Sequence, residues 1–366
     1  MNPIPNGIRV LQISADRSKR GILESGSAAF LRQEAYARRF GNLDIIAFSL
    51  TSDTAEEIET GPLHIIPTNS QSKWFYGWNA LQIARTLPRP DVVSAQDPFE
   101  TGLTAWLLAR RLRVPLHIQI HTDFLSPAYA KHSVVNRIRV RVARFVLSRA
   151  SGIRVVSDRI MDSLKAKSYR LKAIPVVLPI FADIERLRRL TAPTALQARF
   201  DRFQWCVLVV SRLEPEKNVA LAIEAFVRSA PQEACIIIVG DGSELASLQK
   251  MARSRGIGER VFFEVNVEAA PYYALADLLL VTSAYEGYGL VIVEALGLGV
   301  PVLSTDVGAA RELGALVARP EEFAAALHAW FLNGTRKGEL KQHPYASFEE
   351  YVEKYCADIE RCVKRK

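Results

Sequence analysis

The feature that most constrains this chain is a repeated alternation. Short runs of Val, Ile and Leu, each ending in small or polar residues, are separated by stretches with helical spacing. The pattern opens with "IRVLQISAD", "AFLRQEAYARRF" and "DIIAFSL" and continues through "DVVSAQ", "LHIQIHTD", "IRVVS" and "PVVLPI". Strands that are apolar throughout, rather than at every second residue, belong in a parallel sheet buried on both faces, and the interleaved helices supply the cover. After the arginine-rich connection "ADIERLRRLTAPTALQARFDRFQW" the pattern restarts with "CVLVVS", "CIIIVG", "RVFFE", "LLLVTS" and "PVLST". The 366 residues therefore divide into two doubly wound α/β domains, 1–183 and 184–345, each large enough to bury a core.

In open α/β sheets ligands bind beyond the carboxyl ends of the strands, and polar residues collect there. In the first domain these are Asp16 and Arg17 ahead of a Gly/Ser loop containing Gly26 and Ser27, then Gln96 and Asp97, then His121, Thr122 and Asp123. In the second they are Ser211, Arg212, Lys217 and Asn218, then Gly240, Asp241 and Gly242, then Ser283 with Glu286 to Leu290, and last Thr305 and Asp306. Two domains with loaded strand ends imply one cleft between them. Structural alternatives accompany several of these residues. Asp97 and Asp123 also suit helix starts, "DPFETG" being one. His121 also suits a core histidine, Gly240 and Gly242 a tight turn, and Arg212 and Lys217 surface pairs with Glu214 or Glu216.

The segment "SAYEGYGLVIVEALGLGVPVLS" carries Glu286 and Glu294 through one of the most apolar parts of the chain. A carboxylate in such surroundings needs a partner, because an unpaired buried charge costs several kcal/mol. If "GLVIVEALGLG" is a helix starting near Gly289, Glu294 lies within it and Glu286 on the loop feeding its N-terminus. Unpaired N–H groups and the positive end of the helix dipole then favour an anionic ligand there. A helix cap and a solvated glutamate would be the plainer account.

Charge distribution narrows the partners. The net charge is +8, yet residues 131–172 alone carry twelve Lys or Arg against Asp158 and Asp162. Within them "SVVNRIRVRVARFVLSRA" reads as a helix with Val134, Ile138, Val142, Phe145 and Val146 on one face and Arg137, Arg141 and Arg144 on another, which suits an anionic membrane surface as well as a simply solvated one. No aromatic-rich basic motif accompanies it, so no nucleic-acid partner is expected. With 49% hydrophobic and 23% charged residues the composition is that of a globular protein. The start of the sequence lacks a basic leader followed by an apolar core, and no apolar run is long enough to span a bilayer, so a cytoplasmic location is expected, peripheral to the membrane's inner face if the basic segment touches lipid. Cys206, Cys235, Cys356 and Cys362 show no metal-ligand spacing and read as reduced packing residues; no metal is expected.

Taken together, "IQIHTDF", "VVSRLEPEKN", "IVGDGSELASLQK" and "YYALADLLLVTSAYEGYGLVIVEALGLGVPVLSTDVG" resemble the retaining family 4 glycosyltransferases of the GT-B fold, over nearly the whole chain. The resemblance implies two Rossmann-like domains facing across a cleft, with a nucleotide-sugar, UDP- or GDP-linked, held mainly by the second and an acceptor, glycan or lipid-linked, held mainly by the first. It implies no cofactor and no metal. Arg212 and Lys217 would neutralise the departing diphosphate, with Gly287, Gly289 and Leu290 adding backbone donors at the helix end and Gly240, Asp241 and Gly242 lining the donor site. Glu294 would bind the ribose hydroxyls, Glu286 would face the transferred sugar, and His121 would touch sugar or acceptor. Asp16, Arg17, Gly26, Ser27, Asp97 and Asp123 would form the acceptor and phosphate side. Three departures stand out. The loop "KRGILESGSAAF" lacks the double glycine many relatives have. Val265, beside Asn266 where the base would be read, replaces a common glycine. "GALVARP" is shorter than the usual loop. The C-terminal segment 346–366 would be the helix that crosses back to the first domain. A catalytically silent partner subunit, or an epimerase or phosphorylase on the same fold, are the alternatives.

Overall fold

The computed structural model describes residues 7–16, 21–167 and 169–364. The chain forms two compact units, one comprising residues up to Pro179 together with those from Tyr345 onward, the other Ile180–Pro344. The division falls at Pro179/Ile180 and Pro344/Tyr345, where the sequence reading places it after residues 183 and 345.

The first unit is built on a sheet of eight strands: β1 (Ile8–Ser14), β2 (Gly41–Ala47), β3 (Ile58–Thr60), β4 (Leu63–Pro67), β5 (Val92–Ala95), β6 (Leu116–Ile120), β7 (Gly152–Val155) and β8 (Val176–Val177). Their order is β3-β4-β2-β1-β5-β6-β7-β8, all parallel except the β3–β4 hairpin. The expected strand "PVVLPI" contributes only two residues. Pro175 and Pro179 bracket it, and proline cannot donate to a ladder. Conversely β4 ("LHIIP") is too short and too close to turn residues to stand out in the sequence. The order reverses between β1 and β5, and Gln96 sits at that point, its amide bonded to Ile13 O and its Oε1 accepting from Ser14 Oγ at 2.7 Å.

The C-terminal helix Phe348–Lys364 belongs to this unit and packs on the helix Ala28–Phe40 and on β7. Its buried face is not purely apolar. His117 Nε2 lies 3.0 Å from Asp358 Oδ2, Gln119 Nε2 donates to Tyr355 Oη at 3.0 Å, and Tyr36 and Tyr351 hydroxyls meet at 2.5 Å. At the centre is Arg154 of β7, fully buried and with no carboxylate partner among the described residues. Its guanidinium donates to the carbonyls of Leu178 and Pro179, to Gln119 Oε1 at 3.0 Å and to Tyr351 Oη, and lies over the Tyr355 ring. Tyr345 Oη donates to the same Pro179 carbonyl. The two points where the chain leaves and re-enters this unit are thus fastened by one buried cation and one tyrosine. Arg154, one of the twelve basic residues of 131–172, is therefore not available to a partner at the surface.

The second unit has a six-stranded parallel sheet of β9 (Trp205–Val210), β10 (Ala234–Val239), β11 (Val261–Glu264), β12 (Leu278–Val281), β13 (Val302–Ser304) and β14 (Leu316–Val317), in the order β11-β10-β9-β12-β13-β14. Val207, Val209, Ile236, Ile238, Leu278 and Leu280 point into one core with Phe226, Phe323 and Trp330 from the covering helices. All four cysteines are buried and unbridged, Cys206 and Cys235 facing each other across β9 and β10 at 3.7 Å. The reversal in strand order falls between β9 and β12, the position where open α/β sheets bind ligands.

Candidate functional site

The loops leaving β9 and β12 meet at this reversal. Thr282 Oγ1 donates to Lys217 O at 3.1 Å and the Ala284 amide to Glu216 O at 2.8 Å, so the β12 loop is tied to the β9 loop through backbone groups. Pro215–Lys217 form a single 3-10 turn that ends on Asn218 in the left-handed region, and this turn aims Lys217 across the gap. Lys217 Nζ donates to Glu286 Oε1 at 2.5 Å, and Ser283 Oγ donates to the same oxygen at 2.7 Å. Both side chains of the ion pair are largely buried, 16% and 18% exposed. The apolar surroundings of Glu286 are therefore answered by a cation and a hydroxyl.

The helix expected after this loop is present, Leu290–Gly297, eight residues with Gly289 as its N-cap. Gly289 has φ +98°, a conformation that residues with a Cβ rarely adopt. It turns the chain into the helix, where the Ile292 amide donates to Gly289 O at 3.0 Å and the Leu290 and Val291 amides precede the first intrahelical acceptor. Glu294 lies five residues into the helix, and Tyr273 Oη donates to its Oε2 at 2.8 Å. Burial, aided by that carboxylate, pushes the Tyr273 phenol well above its ordinary value, so it stays a donor. Sequence reasoning named Ser283 among the strand-end polar residues without its contact to Glu286, and it passed over Tyr273, which is adjacent only in space. It also passed over Gly308, where a Cβ would lie 2.4 Å from Tyr288 O and 3.3 Å from Glu286 Cβ, so the loop after β13 packs directly against the loop carrying Glu286.

Arg212 is placed differently. Its side chain is 69% exposed and Nη2 pairs with Glu216 at 2.9 Å, the surface pairing that was the alternative for it. The backbone link from Glu216 to Ala284 connects its partner to the Lys217 cluster. The second glycine loop is a packing device: a Cβ on Gly240, at φ +147°, would stand 1.8 Å from Ser211 O, and one on Gly242 would stand 2.3 Å from Leu213 O. Asp241 participates through Oδ1, which accepts from the Gly242 amide, and through its carbonyl, which accepts from the Leu213 amide. These contacts hold the β9 loop in place. Gly287 is buried within the Glu286 loop, and Asn266 is exposed at φ +60° just past β11.

In the first unit His121 and Asp123 follow β6, Asp97 follows β5 and Asp16 follows β1. His121 Nε2 is 3.2 Å from Gln119 Oε1, the oxygen that already accepts from Arg154. Because that oxygen only accepts, Nε2 carries the proton and Nδ1 presents the lone pair. Burial first, then the positive charge of Arg154, lowers the His121 pKa to about 3, so the ring is neutral. Gln119 and Arg154 therefore orient His121, a role legible only once the strands are side by side. Asp97 makes the turn into the helix Glu100–Leu112, Oδ1 accepting from the Phe99 amide at 2.7 Å; burial raises its pKa to about 6. Asp123 is buried, its Oδ1 has no hydrogen-bond partner among the described residues, and burial raises its pKa despite Arg159. Ser27 caps the helix Ala28–Phe40, accepting from the Phe30 amide at 3.0 Å and donating to Gly21 O at 2.7 Å, with Gly26 in the left-handed region before it. The hydroxyl assigned to a phosphate loop is thus already used as a cap. Asp16, whose amide bonds Ser14 Oγ, lies at the end of β1, and Arg17 lies outside the described residues.

The comparisons agree with this architecture. Residues 197–339 match the family described as glycosyl transferases group 1, and residues 33–180 match the glycosyl transferase 4-like domain. The chain belongs to the family 4 glycosyltransferases. It is 27% identical over 243 residues to an alpha-monoglucosyldiacylglycerol synthase of Streptococcus pneumoniae, covering 62% of this chain and 54% of that protein. It is 30% identical over 286 residues to a D-inositol 3-phosphate glycosyltransferase of Rhodococcus erythropolis, covering 70% and 64%. The matches thus span less than two thirds of the length of these curated relatives. The crystal structure of Anabaena Alr3699/HepE in complex with UDP-glucose superposes with a TM-score of 0.69 at 19% identity over 98% of both chains, which establishes the GT-B fold.

Proposed function

We propose that this protein is a retaining glycosyltransferase that moves a sugar from a UDP- or GDP-sugar to a lipid-linked or glycan acceptor of the cell envelope without a metal. The observation that carries the reading is the meeting of Lys217 and Glu286 at the β9/β12 reversal, beside the N-terminus of the helix Leu290–Gly297. A departing nucleoside diphosphate gains negative charge in the transition state. A lysine, a helix end and, after release from its exposed pair with Glu216, Arg212 supply the compensating charge. Glu294, held by Tyr273, keeps its position for ribose hydroxyls, and Glu286 serves the transferred sugar as positioner and electrostatic stabiliser. Neutral His121 accepts from a sugar or acceptor hydroxyl through Nδ1. Asp97, Asp123 and Asp16 stand on the acceptor side. The UDP-glucose complex of the structural relative supports a uridine donor, and the relative named for a glucosyldiacylglycerol product supports a lipid acceptor. Among the described residues no group of three or more His, Cys, Asp or Glu is arranged to hold a metal ion.

A cytoplasmic site of action, peripheral to an anionic membrane, goes with that acceptor. No helix among the described residues is long and apolar enough to cross a membrane. The helix Val134–Leu147 turns Asn136, Ala143, Val146 and Leu147 inward and leaves Val134, Val135, Ile138 and Phe145 exposed beside Arg137, Arg141 and Arg144. Trp74, Phe75 and Trp78 are likewise exposed on the same unit, Trp74 at 93%. A thermal-shift screen of UDP-, GDP- and ADP-sugars, followed by NMR of the product's anomeric centre, tests the enzyme reading. Stabilisation by one nucleotide class and a product with the donor's anomeric configuration are expected. No stabilisation by any of them, or an inverted product, would overturn it. Flotation with anionic liposomes tests the membrane contact, which should weaken when Arg137, Arg141 and Arg144 are neutralised.

A further inference from the structure

The first unit also has a concave feature beside the loop that follows β6, where Phe124 packs edge-on against Tyr169. The C-terminal half of the helix Val134–Leu147 and residues after the helix Asp158–Ala166 border an open pocket of about 460 Å³. Arg141, Arg144, Lys167 and Arg170 line it, and Phe145 and Tyr169 form apolar walls. No carboxylate belongs to the lining. Many exposed arginines elsewhere have an acidic neighbour, as in Arg38–Glu34, Arg139–Glu100, Arg188–Glu185 and Arg311–Asp306. None of the four pocket cations forms an ion pair with a described carboxylate. Two of them are held in place by other means. The Arg144 guanidinium lies over the Tyr169 ring, 5.2 Å from its centroid, and Lys167 Nζ donates to Leu125 O at 2.5 Å.

Four like charges around one cavity repel one another, and in a folded protein that cost is relieved by a counter-charge. The cavity is far larger than a halide needs and falls within the range of small-molecule sites. Guanidinium forks match the oxygens of a phosphate in paired hydrogen bonds, and a lysine adds a point charge. We propose that this pocket binds a phosphate monoester or diphosphate group, as a site distinct from the nucleotide-sugar site of the second unit. The group comes either from a phospholipid headgroup or from a soluble phosphate compound. The proposal stands whether or not the chain transfers sugar, since it rests on the first unit alone.

Titration calorimetry of the full chain with inorganic pyrophosphate at low salt tests it, using Arg141→Gln/Arg170→Gln, Arg137→Gln as a control on the same helix outside the pocket lining, and Arg212→Ala/Lys217→Ala to remove the cations of the second unit. The pocket variant should lose about tenfold or more in affinity, with Arg137→Gln within about twofold of wild type and the second-unit variant retaining a site. Equal weakening by Arg137→Gln would show diffuse attraction only, and a pocket variant that titrates like wild type would overturn the proposal. If the double variant fails to fold, as judged by its melting temperature, Arg170→Gln alone carries the same comparison. Flotation with phosphatidic acid vesicles against phosphatidylglycerol vesicles of matched surface charge separates the sources. A preference for the monoester that vanishes in the pocket variant assigns the site to a lipid headgroup. Equal binding to both vesicles with an intact pyrophosphate site assigns it to a soluble phosphate. UDP binding by the pocket variant, measured alongside, keeps the fate of this proposal separate from that of the enzyme reading.

Discussion

Glu286→Gln should tighten nucleoside diphosphate binding while it slows sugar transfer. In the structure Lys217 and Glu286 are 2.5 Å apart and less than one-fifth exposed. At an effective dielectric of about 20 two unit charges attract by about 4 kcal/mol at roughly 4 Å and by about 7 kcal/mol at the contact distance of this pair. Desolvation of both groups offsets much of this and leaves a net pairing of roughly 1–2 kcal/mol. A diphosphate that recruits Lys217 competes with that carboxylate and is repelled by its charge. Glutamine preserves the shape and can still accept from Ser283 Oγ, so the substitution removes the charge with little else. UDP should then bind about tenfold more tightly, corresponding to about 1.4 kcal/mol. Turnover should fall by about 100-fold, the scale seen when one transition-state electrostatic contact is lost. Titration calorimetry gives the first quantity and initial rates the second, and Glu286→Gln/Lys217→Ala should erase the gain in affinity. Weaker or unchanged UDP binding by Glu286→Gln would refute the competition argument.

Four further outcomes follow from named contacts. Nitrogen-15 NMR should find His121 neutral and protonated at Nε2 from about pH 5 to about pH 8, its pKa having been lowered to about 3; a titration near 6.5, or a proton on Nδ1, would contradict the Gln119–Arg154 arrangement. The Asp97 carboxyl, raised to about 6, keeps its proton in the folded state to higher pH than in the unfolded chain, so its charge lowers stability as pH rises from about 4 through about 6. Asp97→Asn should therefore raise stability by about 1–2 kcal/mol at pH 7.5 and leave it unchanged at pH 4, as read from denaturant melts at both pH values. Gly240→Ala, which drives a Cβ into Ser211 O, should cost about 2–4 kcal/mol in the same melts. Tyr273→Phe should weaken UDP binding by about 1 kcal/mol through loss of the contact to Glu294 Oε2.

Much of this was legible in the sequence because it is local. The apolar runs at β1, β2, β5 to β7 and β9 to β13 are strands, and the helix beginning after Gly289 starts where "GLVIVEALG" places it. What escaped depends on neighbours distant in sequence. β4 is five residues long and acquires its identity by pairing with β2. Arg154 looked like one more charge in a basic stretch, whereas its position inside "IRVVS" puts it on a buried strand, where carbonyls, tyrosines and Gln119 from far along the chain receive it. Gly240 and Gly242 were legible as a tight turn, and the backbone of the β9 loop that makes glycine necessary there is seen only once β9 and β10 lie side by side. Lys217 and Glu286 were chosen for their chemistry, and their contact needed the β9/β12 adjacency to be seen.

The most direct test of the central claim is the affinity for UDP in the presence of EDTA of the wild type, Lys217→Ala and Arg212→Ala. If the largely buried lysine and the neighbouring helix end hold the diphosphate, the wild type binds without a divalent ion, Lys217→Ala loses about 100-fold and Arg212→Ala, which starts from an exposed pair, loses about tenfold or less. Wild-type affinity in Lys217→Ala, or UDP binding by the wild type that disappears with EDTA, would contradict the account.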